Sequence, residues 1–313
     1  MRELLLLDPV CVHNIWGGTK LREEFGYPVE GSGIGECWGI SAHPNGDGTV
    51  RSGSFKGRKL SWVWKEHPEF FGSLPYDRYP LLTKIIDAQD DLSIQVHPDD
   101  AYAGEHENGS LGKTECWYIM DCGEDAKIVI GHNARTEEEL HAMVEEARWG
   151  ELIREIPIRK GDFLQIDPGT VHAIKAHTLI LETQQNSDIT YRLYDYDRLQ
   201  DGKKRELHIE KSLDVIRVPE RDTRDCVKST ENLPENTLNQ IYSCDKYSVF
   251  KLDVNGKASF AQKYPFLAAS VLEGEGSVDG TNVRKGDHFI LSAGYGDVEM
   301  EGKMSLILST VEK

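Results

Sequence analysis

Between Leu92 and Asp99 the sequence Leu-Ser-Ile-Gln-Val-His-Pro-Asp alternates apolar and polar side chains, which sends Ser93, Gln95 and His97 to one face of a strand. A solvated strand face also reads this way, and a lone histidine on such a face is ordinarily a surface residue. Downstream, however, Lys113-Thr-Glu115 and Gly169-Thr-Val-His172 add further donors. Gln95, His97, Glu115 and His172 together offer the nitrogen and oxygen ligands that a divalent zinc ion takes. Catalytic zinc needs three or four such donors converging from separate elements, with one position left open. Gln95 and His97 share a strand face, Glu115 begins a second strand, and His172 follows a Pro-Gly turn at the mouth of a third. The spacing itself leaves their convergence open.

The elements that must position these residues are mostly strands. Glycine is dense in the first fifty residues, as in Trp16-Gly-Gly18 and Gly31-Ser-Gly-Ile-Gly35, which suits turns between short strands rather than helices. Leu4–Leu7 reads as a first strand and Tyr79–Ile86 as a buried one, with Asp87–Asp91 turning into the stretch that holds Gln95 and His97. Leu60–Phe71 is amphipathic and ends at Gly72, which predicts one helix. The polar stretch from Pro98 to Gly112 fits a short helix and loop. Thr114–Met120 resumes as a strand, with Lys127–Gly131 as its expected hairpin partner. Thr136 and Glu139 match a capping box ahead of Leu140, Met143, Val144 and Ala147 at helical spacing. Strands return from Ile156 and run through Thr178–Thr183 to Tyr191–Tyr194. Arg198–Asn239 is polar, carries Pro219 and Pro234, and reads as a boundary between residues 1–235 and 236–313.

A short internal repeat supports two related β units. Arg159-Lys-Gly-Asp162 and Arg284-Lys-Gly-Asp287 are each followed by an apolar strand and a glycine. The second copy has no histidine where the first has His172. The expected architecture is therefore mostly β: two barrels with a small helical insertion, the first bearing the ligands and the second none.

Composition narrows the function classes. In 313 residues, 39% hydrophobic and 28% charged, the formal net charge is −17, which disfavours nucleic acid and anionic membranes as partners. An anionic small molecule remains possible, but its site would have to supply its own local positive charge. No apolar run is long enough to span a bilayer, and the four leucines before Asp8 are too few for a signal-peptide core. Six cysteines without a C-x-x-C pair suggest reduced thiols and a cytoplasmic location. Lys113-Thr114 follows Gly112 like the end of a phosphate loop, but position 107 is glutamate where that loop demands glycine, so a nucleotide site is rejected.

Several segments, taken in order, resemble the motifs of type I mannose-6-phosphate isomerases, zinc enzymes of the cupin superfamily. They are Ser93-Ile-Gln-Val-His-Pro-Asp99, Gly112-Lys-Thr-Glu-Cys-Trp117, Pro168-Gly-Thr-Val-His-Ala173 and Gln185-Asn-Ser-Asp-Ile-Thr-Tyr-Arg192. Trp16-Gly-Gly18 and Gly35-Glu-Cys-Trp38 are similar to the family's N-terminal segments, and the chain resembles the short bacterial form. The resemblance implies cupin-type (jelly-roll) barrels and one Zn2+ per chain held by Gln95, His97, Glu115 and His172. It also implies Arg192 as a catalytic residue, Ser93 and Lys113 as substrate contacts, and a sugar phosphate as substrate. The implied reaction converts mannose 6-phosphate to fructose 6-phosphate through an enediol. The base is left open among Lys113, Glu182 and a zinc-bound water. A cupin isomerase for another sugar phosphate and a non-catalytic sugar-phosphate binder are the competing readings.

Overall fold

The strand Leu81–Ala88 is buried along its whole length, and the sheets are arranged around it. Such a strand must be covered on both faces, which an alternating, half-polar strand need not be. The computed structural model describes residues 2–222 and 226–311, and among these the class is mostly β. Leu81–Ala88 lies in a seven-stranded sheet between Thr178–Gln185 on one side and Val10–Gly18 and Ile34–Ile40 on the other. Glu115–Asp121 and Asp162–Ile166 continue that sheet beyond Thr178–Gln185.

One face of the seven-stranded sheet meets a five-stranded sheet. Its strands are Ile153–Pro157, Lys127–His132, His172–Ala173, Ile94–Val96 and Tyr191–Tyr194, in that order. Apolar side chains of both sheets, among them Ile86, Trp117 and Ile180 opposite Ile128 and Ile130, form the core between them. The far side of the five-stranded sheet is covered by Leu140, Met143 and Val144 of the helix Glu137–Glu145, and by the helix Ile209–Val215.

The other face of the seven-stranded sheet packs on an eight-stranded sheet through Ile85, Tyr118 and Phe163 against Leu5, Tyr247 and Ile307. This third sheet is built mainly from the C-terminal residues, around the pair Ser248–Gln262 and Gly296–Thr310. It also draws on the other end of the chain: Leu4–Asp8 pairs with His288–Leu291 and with Thr49–Val50. The strand pairings give three principal sheets and do not by themselves define two closed barrels. The repeated Arg-Lys-Gly-Asp segments do form the same turn. In each, the backbone N–H of Arg159 or Arg284 donates to the carboxylate of Asp162 or Asp287 at 2.8 Å, with Gly161 and Gly286 at φ 88° and 89°.

Several local expectations are corrected. Lys127–His132 is a strand, but its partners are Ile153–Pro157 and His172–Ala173, so it crosses to the facing sheet instead of closing a hairpin on Glu115–Asp121. Residues 60–71 form two pieces, an α-helix Leu60–Glu66 and a 3₁₀ turn Pro68–Phe71, because Pro68 cannot continue the first ladder. Thr136 does cap its helix, accepting from Glu139 N at 3.2 Å, while Glu139 reaches back one residue further, to Arg135 N. Ala147 lies beyond that helix at φ 53°.

Candidate metal centre and active site

The site forms where the seven- and five-stranded sheets face each other. On the five-stranded sheet, His172, Gln95 and Arg192 are successive partners across three antiparallel strands. Directly opposed residues share a face, so this row presents an imidazole, an amide and a guanidinium to the same side. His97 follows one alternation after Gln95 and is buried. From the other sheet, Glu115 opens its strand opposite Gln184, fully buried.

These residues meet. The Nε2 atoms of His97 and His172 are 3.1 Å apart. Glu115 places Oε2 3.4 Å from the first and Oε1 3.4 Å from the second. One donor atom from each of the three lies within 4.8 Å of the others. His172 Nδ1 is 2.8 Å from the Thr170 carbonyl, and donation there fixes the tautomer that leaves an Nε2 lone pair facing the cluster. Glu115 Oε1 is buried without a hydrogen-bond partner. The Gln95 amide is 3.4 Å from His172 Nε2, and a half-turn of that amide exchanges its nitrogen for its oxygen. Two neutral imidazoles, a carboxylate and an amide aimed at one point are a donor set that suits a divalent cation.

The electrostatics agree. Burial, aided by Lys113, pushes His97 down to about 3, and burial also lowers His172, so both rings are neutral at ordinary pH. Burial alone would raise the Glu115 carboxyl, but the Lys113 ammonium outweighs it and holds the group well below the usual carboxylate range. Lys113 is buried and bonded to Glu115, with Nζ 3.0 Å from His97 Nε2.

Next to this cluster runs a buried chain of charges. Lys113 Nζ is 3.8 Å from Glu182, Lys84 Nζ is 3.6 Å from Glu182 and 3.4 Å from Glu36, and all but Glu36 are nearly inaccessible. The register explains it, since Trp117, Glu182, Lys84 and Trp38 are successive partners across four strands. Trp117 Nε1 donates to Glu182 at 3.0 Å, Trp38 Nε1 to Glu36 at 2.6 Å, and the Lys84 ammonium lies 4.9 Å from the Trp38 ring centroid. Burial, with Glu115 nearby, raises the Glu182 carboxyl, and its Oε1 has no hydrogen-bond partner.

Five predicted residues are thus gathered: Gln95, His97, Lys113, Glu115 and His172. Arg192 joins them by register, with its buried Nε unpartnered, whereas neighbouring Arg205 and Arg198 are both tied to Asp195. Ser93 is buried one alternation before Gln95.

The N-terminal residues 4–121 match the model of the phosphomannose isomerase type I catalytic domain, and residues 237–311 that of the mannose-6-phosphate isomerase cupin domain. Over 312 residues the chain is 50% identical to the mannose-6-phosphate isomerase ManA of Bacillus subtilis, covering 98% of each protein. The chain belongs to the type I phosphomannose isomerase family. Its mannose-6-phosphate isomerase relative in Streptococcus mutans is 44% identical over 99% of this chain and 98% of that one. A crystal structure of the Bacillus subtilis mannose 6-phosphate isomerase superposes with a TM-score of 0.92 at 46% identity, covering 99% of this chain and 100% of that one. A mannose 6-phosphate isomerase solved with zinc and yttrium shares the fold, with a TM-score of 0.76 at 15% identity and coverage of 99% and 100%.

In this phosphomannose isomerase family member, sequence reasoning missed Lys84 and Glu36 as neighbours of the site. A signal existed: Lys84 is a cation in the middle of a segment that reads as a buried strand, and a buried ammonium requires carboxylates beside it.

Proposed function

We propose that this chain interconverts mannose 6-phosphate and fructose 6-phosphate, with one zinc ion held by Gln95, His97, Glu115 and His172. The observation that carries the reading is the meeting of His97, just past the strand Ile94–Val96, with Glu115 and His172 of two other strands, all three buried between two sheets. When bound, zinc supplies Lewis acidity toward the sugar oxygens at the reacting end. The chain's own groups supply the rest. Arg192, its buried Nε unpartnered, offers a bidentate fork for the phosphate or for charge developing on an enediolate. Ser93 and Lys113 are proposed substrate contacts, and Lys113 adds the positive charge an anionic substrate needs in a chain of net charge −17.

Moving a proton from C2 to C1 requires one group that accepts and returns it from one side. We assign this to Glu182, because its Oε1 accepts no hydrogen bond and is faced by the Lys84 and Lys113 ammonium groups at 3.6 and 3.8 Å while Trp117 holds Oε2, and because burial raises its carboxyl above the ordinary value. Glu182→Gln is expected to retain zinc and lose turnover by roughly 10²–10⁴-fold; an active variant would move the role to Lys113.

The site-bearing unit of this reading is residues 1–235, with 236–313 as a scaffold to which the first strand is lent. The six free thiols fit a cytoplasmic location, and no helix among the described residues is long and apolar enough to cross a membrane. The decisive experiment is elemental analysis of protein purified without added metal, followed by isomerase assays across hexose 6-phosphates with and without chelator. Undiminished conversion after complete metal removal would refute the metal-dependent reading. A clear preference for another hexose 6-phosphate would refute the substrate.

A further inference from the structure

Cys11 and Cys37 are direct partners in the antiparallel ladder between Val10–Gly18 and Ile34–Ile40, flanked by the pairs Val10–Trp38 and Val12–Glu36. Directly opposed residues in such a ladder have Cα atoms about 4.5–5.5 Å apart and side chains on one face, within the range a disulfide can bridge. Both thiols are free. They are not equivalent. Cys37 is fully buried in the core between the seven- and eight-stranded sheets, while Cys11 lies at the edge of that core and is partly accessible. Burial holds the Cys37 thiol high, whereas its interaction with Cys11 lowers the Cys11 thiol below the ordinary value. The Tyr27 hydroxyl, anchored 3.0 Å from both the Gly286 carbonyl and His288 Nε2, also interacts with the Cys37 thiol.

We propose that Cys11 and Cys37 are an oxidative modification site, in which a hydroperoxide reacts at Cys11 and Cys37 resolves the product to a disulfide. In the first step the Cys11 thiolate attacks a peroxide oxygen. The S–O bond forms as the O–O bond breaks, giving a sulfenic acid and releasing water from hydrogen peroxide, or an alcohol from an organic hydroperoxide. In the second, the Cys37 sulfur attacks the Cys11 sulfur. The S–S bond forms, the S–O bond breaks, and the departing hydroxide leaves as water with the Cys37 proton. Two electrons pass from the thiol pair to the peroxide. The order of events follows from exposure, since the oxidant must meet its first thiol at the accessible partner and the buried one is already aligned across the ladder.

The bond would form on the reverse face of the strand that carries Glu36 and Trp38 toward the charge chain beside the site. It uses none of the residues assigned to the reaction and does not depend on the proposed activity.

The test treats the intact protein with hydrogen peroxide under non-denaturing conditions, quenches with an alkylating agent, and reads thiol number and linked peptides by mass spectrometry. Free thiols are expected to fall from six to four, with a Cys11–Cys37 linked peptide that a dithiol reductant reverses. Cys11→Ser should keep Cys37 unmodified, and Cys37→Ser should leave Cys11 to advance to sulfinic acid. Three results would each overturn the proposal: all six thiols surviving, Cys11 advancing to sulfinic acid in the unsubstituted protein, or linkage confined to another pair such as Cys116–Cys244. Comparing the folded and urea-unfolded chain guards against a misfolded variant, because the ladder's preference for this pair disappears on unfolding.

Discussion

Glu115 is the residue on which the candidate metal cluster converges. It faces both histidines at 3.4 Å and carries the Lys113 ammonium, all without solvent. Glu115→Gln keeps the shape and removes the charge, leaving Lys113 with Glu182 as its nearest carboxylate. Elemental analysis of this variant is expected to find zinc lost, with turnover absent; a metal-replete, active variant would remove Glu115 from the ligand set. Arg192→Ala should behave oppositely, keeping its zinc content and losing turnover, and loss of metal instead would make its role structural. At this scale the alternation of Ser93, Gln95 and His97 was legible in the sequence. Their meeting with Glu115 and His172 was not, because it depends on two sheets facing each other and no local period reports that.

At the scale of the element, Leu81–Ala88 shows what a buried strand can carry. Its Lys84 stands between Glu36 and Glu182, which with Glu115 outweigh the burial that would otherwise lower its pKa. Lys84→Met fills similar volume but removes the cation between two carboxylates, leaving Glu36 without its ammonium and Glu182 with Lys113 alone. Breaking a buried ion network this way costs about 3–5 kcal/mol, readable as a lower urea midpoint at neutral pH. The loss should shrink in acidic buffer, where the Glu182 carboxyl, raised by burial, takes up a proton and the repulsion is relieved. Equal losses at both pH values would place the cost in packing rather than charge. The same strand explains where element-level reading fell short. Period and apolar content identified Leu81–Ala88 and Glu115–Asp121 as strands, but Lys127–His132 looked like the obvious hairpin partner and instead crosses to the facing sheet. Ile209–Val215 was missed because it is a short helix in a charged segment, with Ile209 and Leu213 only partly buried against the five-stranded sheet.

At the scale of the molecule, the apolar junction between the eight- and seven-stranded sheets contains a buried histidine, His288. Its ring is fully buried, with Nδ1 2.8 Å from Ser270 Oγ and Nε2 3.0 Å from the Tyr27 hydroxyl. The strand Ile34–Ile40 passes so close that a Cβ at Gly39 would lie 2.2 Å from the ring, so glycine is required there. The strand that sends Glu36 and Trp38 toward the site thus rests on a histidine of the C-terminal sheet. Burial pushes His288 down to about 4, so it is neutral in the folded protein, while in the unfolded chain it takes up a proton near pH 6.5. Between those values the unfolded state binds the extra proton. The contribution of His288 is therefore fully present above about pH 6.5 and is lost as pH falls toward about 4, at roughly 1.4 kcal/mol per pH unit. His97 and His172 act with the same sign, so the measurement is a difference. Against the unsubstituted protein, His288→Gln, whose amide can still bond Tyr27 and Ser270, should show a stability curve shallower by that slope over the window. Parallel curves would mean that His288 exchanges its proton in the folded state, and that the junction between the sheets is open to water.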